Sequence, residues 1–86
     1  MRTIWKFPLR LSGGEQLVRT MPADAFPLYF AMQGDTPTLW CLVDPENAQI
    51  DRYFVVVGTG HPIPAGSSYL GSCQHGQFVW HAFELK

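Results

Sequence analysis

"RYFVVV", residues 52–57, is the most strongly β-branched stretch of the chain. A half-buried strand alternates apolar and polar side chains, because successive residues point to opposite faces of a sheet. This run does not alternate. Tyr53 to Val57 is apolar throughout, so both faces of its strand need cover. The same holds for 39–43 and 78–83. Helices supply that cover in parallel α/β proteins. None is on offer here, since seven prolines and eight glycines interrupt nearly every stretch long enough for a helix. Two solutions remain: a sheet that curls on itself, or a second subunit laid over it. The sequence therefore predicts one all-β domain over residues 1–86, a small bent antiparallel sheet, barrel-like or a sandwich, of six or seven strands.

Working outward, "TIWKFPLRL" (3–11) places Trp5, Phe7, Leu9 and Leu11 on one face and Lys6 and Arg10 on the other. Pro8 lacks an N–H and marks an edge strand. "SGG" (12–14) reads as a turn, and "EQLVRTM" (15–21) as a weaker second strand with Leu17 and Met21 on one face. "LYFAMQ" (28–33) and "TLWCLV" (38–43) flank "GDTP" and form a hairpin with a loop of about four residues. Asp44 is placed to cap one helical turn with Pro45 as its first residue. "SYLGSCQ" (68–74) and "QFVWHAFEL" (77–85) form a second hairpin around "HG".

Composition narrows the function classes. Charged residues are 15%, well under the usual quarter, so the surface must be largely neutral polar or apolar. A small domain of that kind commonly hides apolar surface against a second copy of itself. Six basic residues balance seven acidic ones, which leaves no field for generic nucleic-acid binding. No apolar run is long enough to span a membrane, and the opening residues carry no signal-peptide core. A cytoplasmic location follows as the expectation. Cys41 and Cys73 are then expected as free thiols, Cys41 buried on a central strand and Cys73 nearer an edge.

The β-branched run opens directly into "GTGHPIP" (58–64). No Lys-Ser or Lys-Thr follows the glycines and no helix opens after them, so this is neither a P-loop nor a dinucleotide fingerprint. Glycines do let a backbone approach a ligand, and Pro62 holds His61 extended. Gly58, Thr59, Gly60 and His61, with Trp80 nearby, are the candidate ligand-binding residues; the alternative is a stiff exit from a strand. Cys73 and His75 have thiolate and imidazole two positions apart, but no second ligand pair completes a zinc site. Cys73, His61 and Asp44 assemble a nucleophilic triad only on paper, and no elbow motif supports it. No catalytic residue, metal or cofactor is therefore assigned. The tryptophans Trp5, Trp40 and Trp80 are able to stack a flat ligand, although core packing accounts for most aromatics at strand spacing.

Read together, "IWKFPL", "LVDP", "GTGHPI" and the closing "HAFE" resemble a family of short phage and prophage proteins of unknown function. The resemblance runs from residue 1 to about 84 and is carried by residues outside 12–36. It implies a mobile-element origin and a bacterial cytoplasm, and it assigns no catalytic residue. By analogy, it suggests an accessory factor that binds a host protein or sequesters a signalling nucleotide. The leading expectation is a non-enzymatic interaction module acting as a homodimer, or bound to a host protein. The alternative is a binder of a small polar ligand, a nucleotide included, at the GTGHP loop.

Overall fold

A computed structural model describes residues 1–11 and 13–86; the Ser12 end of the expected "SGG" turn lies outside the described residues. The described chain is all-β, without a helix. Its strands are β1 (Thr3–Pro8), β2 (Leu17–Pro22), β3 (Phe26–Gln33), β4 (Thr36–Val43), β5 (Gln49–Gly58), β6 (Ser68–His75) and β7 (Phe78–Glu84). They form two antiparallel sheets, one in the order β1-β4-β3 and the other β2-β5-β7-β6. Neither closes into a barrel. The two pack face to face, because a sheet with one apolar face must bury it against another layer.

The core lies between them. Phe7, Phe30, Leu39, Cys41 and Val43 come from the three-stranded sheet, and Leu17, Met21, Phe54, Val56 and Ala82 from the four-stranded one. Leu39, Cys41 and Val43 alternate along β4, as do Phe54 and Val56 along β5. Pro8 sits on an edge strand as its missing N–H requires. Leu17 and Met21 of β2 are fully buried, so the weaker second strand is also a core strand.

The second face of the apolar runs is treated differently in the two sheets. On β5, Val55 and Val57 are buried as deeply as Phe54 and Val56. Part of that cover is the β1–β2 loop: Gly14 donates to the Val56 carbonyl and runs against Val57. On the outer face of the three-stranded sheet, cross-strand register groups Ile4, Leu42 and Phe26, and beside them Lys6, Trp40 and Tyr29. Ile4 is 56%, Phe26 62% and Tyr29 64% exposed, and the Tyr29 ring leans on Trp40 at 5.9 Å.

Three local expectations are corrected. Both hairpins close through two-residue loops, Gly34-Asp35 and Gly76-Gln77. Gly34 (φ 60°) and Gly76 (φ 61°) occupy the first loop position, the pattern of a II′ turn. The first hairpin loop is thus shorter than four residues, because Thr36 and Pro37 belong to β4. Pro37 stands near the strand's start, where its carbonyl still accepts the Leu9 N–H. The second loop sits one residue later than "HG", so His75 remains in β6. Finally, Asp44 starts no helical turn. Its carboxylate accepts the Glu46 N–H and its carbonyl the Asn47 N–H, a tight turn between β4 and β5.

The edges of the two sheets meet where β3 and β6 run side by side. Each carries a register shift, at Pro27/Tyr29 and at Tyr69/Gly71. A Cβ on Gly71 would lie 3.0 Å from that of Phe30, so the approach depends on glycine. At the Gln49 end of β5, Arg52 grips Glu84 of β7 with two bonds of 2.6 and 2.7 Å and donates a third to the Ala25 carbonyl. That clasp ties the four-stranded sheet to the chain entering β3.

Candidate functional site

β5 leaves its sheet at Gly58, whose ladder partner Trp80 is the last rung between β5 and β7. The chain then turns sharply: the His61 N–H donates to the Gly58 carbonyl at 3.1 Å. Gly60, third in that turn, has φ 92°, the value a type II turn demands there. The two glycines therefore do different jobs. Gly60 supplies the left-handed backbone. Gly58 does not use positive φ; it supplies room. A Cβ on Gly58 would sit 3.4 Å from His61 Cε1 and 3.6 Å from Trp80 Cζ3, so its bare Cα lets the imidazole fold back over the strand end.

β7 begins beyond the end of β5, and its first residues have no strand on that side. The last contact is irregular, from the Thr59 N–H to the Val79 carbonyl at 3.2 Å. The overhang and the turn enclose a half-open cleft of about 440 Å³. Gly58, Thr59, His61 and Trp80, four of the residues singled out from sequence, line it together. Gly60 does not, because it sits at the turn's tip with nothing within 4 Å of a built Cβ. Gln77, Phe78 and Val79 complete the wall. Sequence reading joins Phe78 to Trp80 on one strand face but leaves Gln77 and Val79 out, although a hairpin loop placed at Gly76-Gln77 brings all three opposite the strand exit. Phe78 and Trp80 fall on one face of β7. The Trp80 indole Nε1 is buried with no hydrogen-bond partner among the described residues.

A chain of hydroxyls and one imidazole runs from the cleft along the outer face of the four-stranded sheet. Thr59 Oγ1 lies 2.8 Å from His81 Nε2, His81 Nδ1 lies 2.7 Å from Ser72 Oγ, and Ser72 Oγ lies 2.6 Å from the Tyr69 hydroxyl. Neutral imidazole donates through one nitrogen and accepts through the other, so this chain has two self-consistent directions. In one, Ser72 donates to Nδ1 and Nε2–H donates to Thr59. In the other, Thr59 donates to Nε2 and Nδ1–H donates to Ser72. His81 pairs with Ser72 because of the hairpin register, and the sequence reading did not link them.

The other candidates stay apart. Asp44 precedes β5 and His61 follows it, so the ten-residue strand holds them roughly 30 Å apart and the paper triad with Cys73 does not assemble. Cys73 and His75 share a face of β6, as their pairing with Trp80 and Phe78 shows. Among the described residues no three metal-ligating side chains cluster. Cys41 and Cys73 are free thiols. Burial pushes Cys41 up to about 11, an effect the nearby Arg52 charge only partly opposes, and burial also raises Cys73. Neither is poised as a thiolate nucleophile. Trp5 lies on the edge strand, Trp40 on the outer face of the three-stranded sheet and Trp80 in the cleft, so the three form no common stacking platform.

A match to one family runs over the whole chain, residues 1–86. The chain belongs to the DUF7352 family, a domain of unknown function. No curated protein and no solved structure matches it.

Proposed function

We propose that this DUF7352 protein binds a small ligand in the cleft at the end of β5, without a catalytic step, in the bacterial cytoplasm that the resemblance to phage proteins implies. One observation carries the reading: Gly58, Thr59, His61 and Trp80 converge with Gln77 and Phe78 on one concavity. Its volume of about 440 Å³ lies in the range of small-molecule sites, roughly 300–1,000 Å³. Its walls are mainly apolar with a few convergent polar groups, the usual build of such a site. Binding is favoured over catalysis because, among the described residues, the lining holds no carboxylate to orient His61 and no serine or cysteine to act as nucleophile. The test is a fragment titration followed by amide chemical shifts. Binders should move residues 58–61 and 77–80, and Gly58→Val, which fills the floor, should abolish the shifts. Binders that persist in Gly58→Val would defeat the reading.

A second reading rests on a separate surface. The outer face of the three-stranded sheet leaves Ile4, Phe26 and Tyr29 more than half exposed beside Trp40 and Leu42. Isolated apolar residues are ordinary, but a contiguous aromatic face rimmed by Lys6 and Gln33 is what a second copy would cover. The protein would then act as a homodimer through this face. Sedimentation at micromolar concentration should give twice 9.7 kDa, and Tyr29→Asp should return the monomer. A single 9.7 kDa species in the wild type would end this reading.

A further inference from the structure

We infer that the ligand of the cleft is a neutral, flat heteroaromatic ring such as a nucleobase or nucleoside, and not a nucleotide. The inference rests on the binding role proposed above and adds the ligand's class. Charge sets the first limit on the ligand. Among the described residues no lysine, arginine, aspartate or glutamate lines the cleft. Four of the six basic residues are engaged elsewhere: Lys6 on Gln33, Arg10 on Glu15, Arg19 on the Pro8 and Val18 carbonyls, and Arg52 on Glu84. Phosphate sites are built from Arg and Lys or from backbone N–H groups at a helix N-terminus or in a loop nest, and in the cleft the Thr59 and His61 N–H groups are already spent on the Val79 and Gly58 carbonyls. A di- or triphosphate entering it would lose hydration without a counter-charge.

Shape and chemistry set the second. Phe78, Trp80 and His61 line the cleft with three aromatic rings, and Gly58 leaves a bare backbone between His61 and Trp80. Stacking on such rings tolerates any base, because every base has a π face. The polar groups beside them are all neutral-type readers. The Gln77 amide carries a donor and an acceptor, and so does a neutral imidazole. Thr59 adapts through His81. When Nε2–H donates to Thr59, the threonine proton is free for a ligand acceptor, held only by a long 3.4 Å contact to the Val79 carbonyl. When Thr59 donates to Nε2, its oxygen is free to accept. The Tyr69–Ser72–His81 chain reverses to suit, so Thr59 can meet either kind of edge on a heteroaromatic ring.

The experiment titrates the full chain with adenosine, uridine, quinazoline, adenosine 5′-triphosphate and glucose, following the amides of 58–61 and 77–80, in wild type and in Gly58→Val. Expected are shifts with the three ring compounds that vanish in Gly58→Val. The triphosphate should bind at least tenfold more weakly than adenosine at 150 mM salt, glucose should not bind, and Phe78→Ala should weaken adenosine about tenfold, the loss of one stacking contact. Triphosphate binding as tight as that of adenosine or tighter, or glucose binding as well as the rings, would overturn the ligand class and leave the cleft as a site. So would a wider fragment set in which only non-aromatic compounds produce Gly58-sensitive shifts. If no probe gives a shift that Gly58→Val removes, the ligand class and the binding role fall together.

Discussion

β5 spans the four-stranded sheet from a closed end to an open one. At the Gln49 end the polar groups are spent on the chain itself. Arg52 holds Glu84 and the Ala25 carbonyl, Asp51 accepts from Thr20, and Asn47 reaches the Ala23 carbonyl. At the Gly58 end, β7 overhangs its neighbour, and Gln77, Phe78 and His61 surround empty space. Both ends are made by one strand, and burial runs the other way: Gln49, Ile50 and Asp51 are exposed while Phe54 to Val57 are buried. What separates them is where hydrogen-bonding capacity goes. A region whose polar groups are satisfied internally serves stability, and one whose polar groups converge on a concavity is left for something else. If that is correct, substitutions at the closed end should cost stability, and those at the open end should cost it only where the backbone is involved.

The strongest attempt to break the comparison is Arg52→Met. It keeps much of the volume and removes three bonds at once. The two side chains are only 17% and 20% exposed, so solvent replaces the lost bonds poorly. The expected loss is about 3 kcal/mol in urea unfolding, since a largely buried carboxylate is left without its partner. A loss under about 1 kcal/mol would make the clasp no better than a surface ion pair and would erase the closed end's distinction.

Cys41, beside that clasp, sharpens the same point through pH. Its thiol is raised from 9.0 to about 11 in the folded protein, first by burial. The unfolded thiol ionises above pH 9 while the folded one stays protonated, so rising pH favours unfolding. The stability tied to Cys41 is intact below pH 9. It should fall by about 1.4 kcal/mol per pH unit until pH approaches 11. Cys41→Ala removes this slope and leaves those of other groups. Unfolding free energies of both proteins between pH 8 and pH 10.5 should therefore converge as pH rises. Parallel curves would mean that the thiol is not desolvated.

How far the sequence reaches follows from the same physics. The all-β class was legible because Tyr53–Val57 is apolar on both faces and glycine and proline leave no room for a helix. The strand exit at Gly58 was legible because a β-branched run stops at a glycine. Its cross-chain partners were not. A two-residue slip in register moves every long-range pair, and the loop "HG" would set His81 opposite Leu70. Gly76, at φ 61° in the first loop position, sets it opposite Ser72 instead, and only then do Thr59, His81, Ser72 and Tyr69 connect. The outer face of the three-stranded sheet was half legible. Alternation along 39–43 marks a second apolar face at Trp40 and Leu42. That Phe26 joins it depends on β3 starting earlier than the periodicity suggests and on the bulge before Tyr29.

The smallest expected effect discriminates most finely, and it needs two variants side by side. Gly60→Ala forces a side chain onto a backbone at φ 92° and should cost about 1 kcal/mol, although a built Cβ meets no atom within 4 Å. The penalty is conformational, not steric crowding by neighbours. His61→Ala touches the same turn from its other side. The imidazole is exposed, its backbone N–H already holds the turn, and that bond survives the substitution. Stability should change by less than about 0.5 kcal/mol. Any ligand seated in the cleft should nevertheless bind more weakly, because one wall has gone. The two results together define the open end: a turn held by backbone and a side chain that holds nothing. Should His61→Ala destabilise as much as Gly60→Ala, the ring over Gly58 is a lid that stiffens the strand exit. The Gly58 end of β5 would then be closed in the same sense as the Gln49 end, with its last polar side chain spent on the fold.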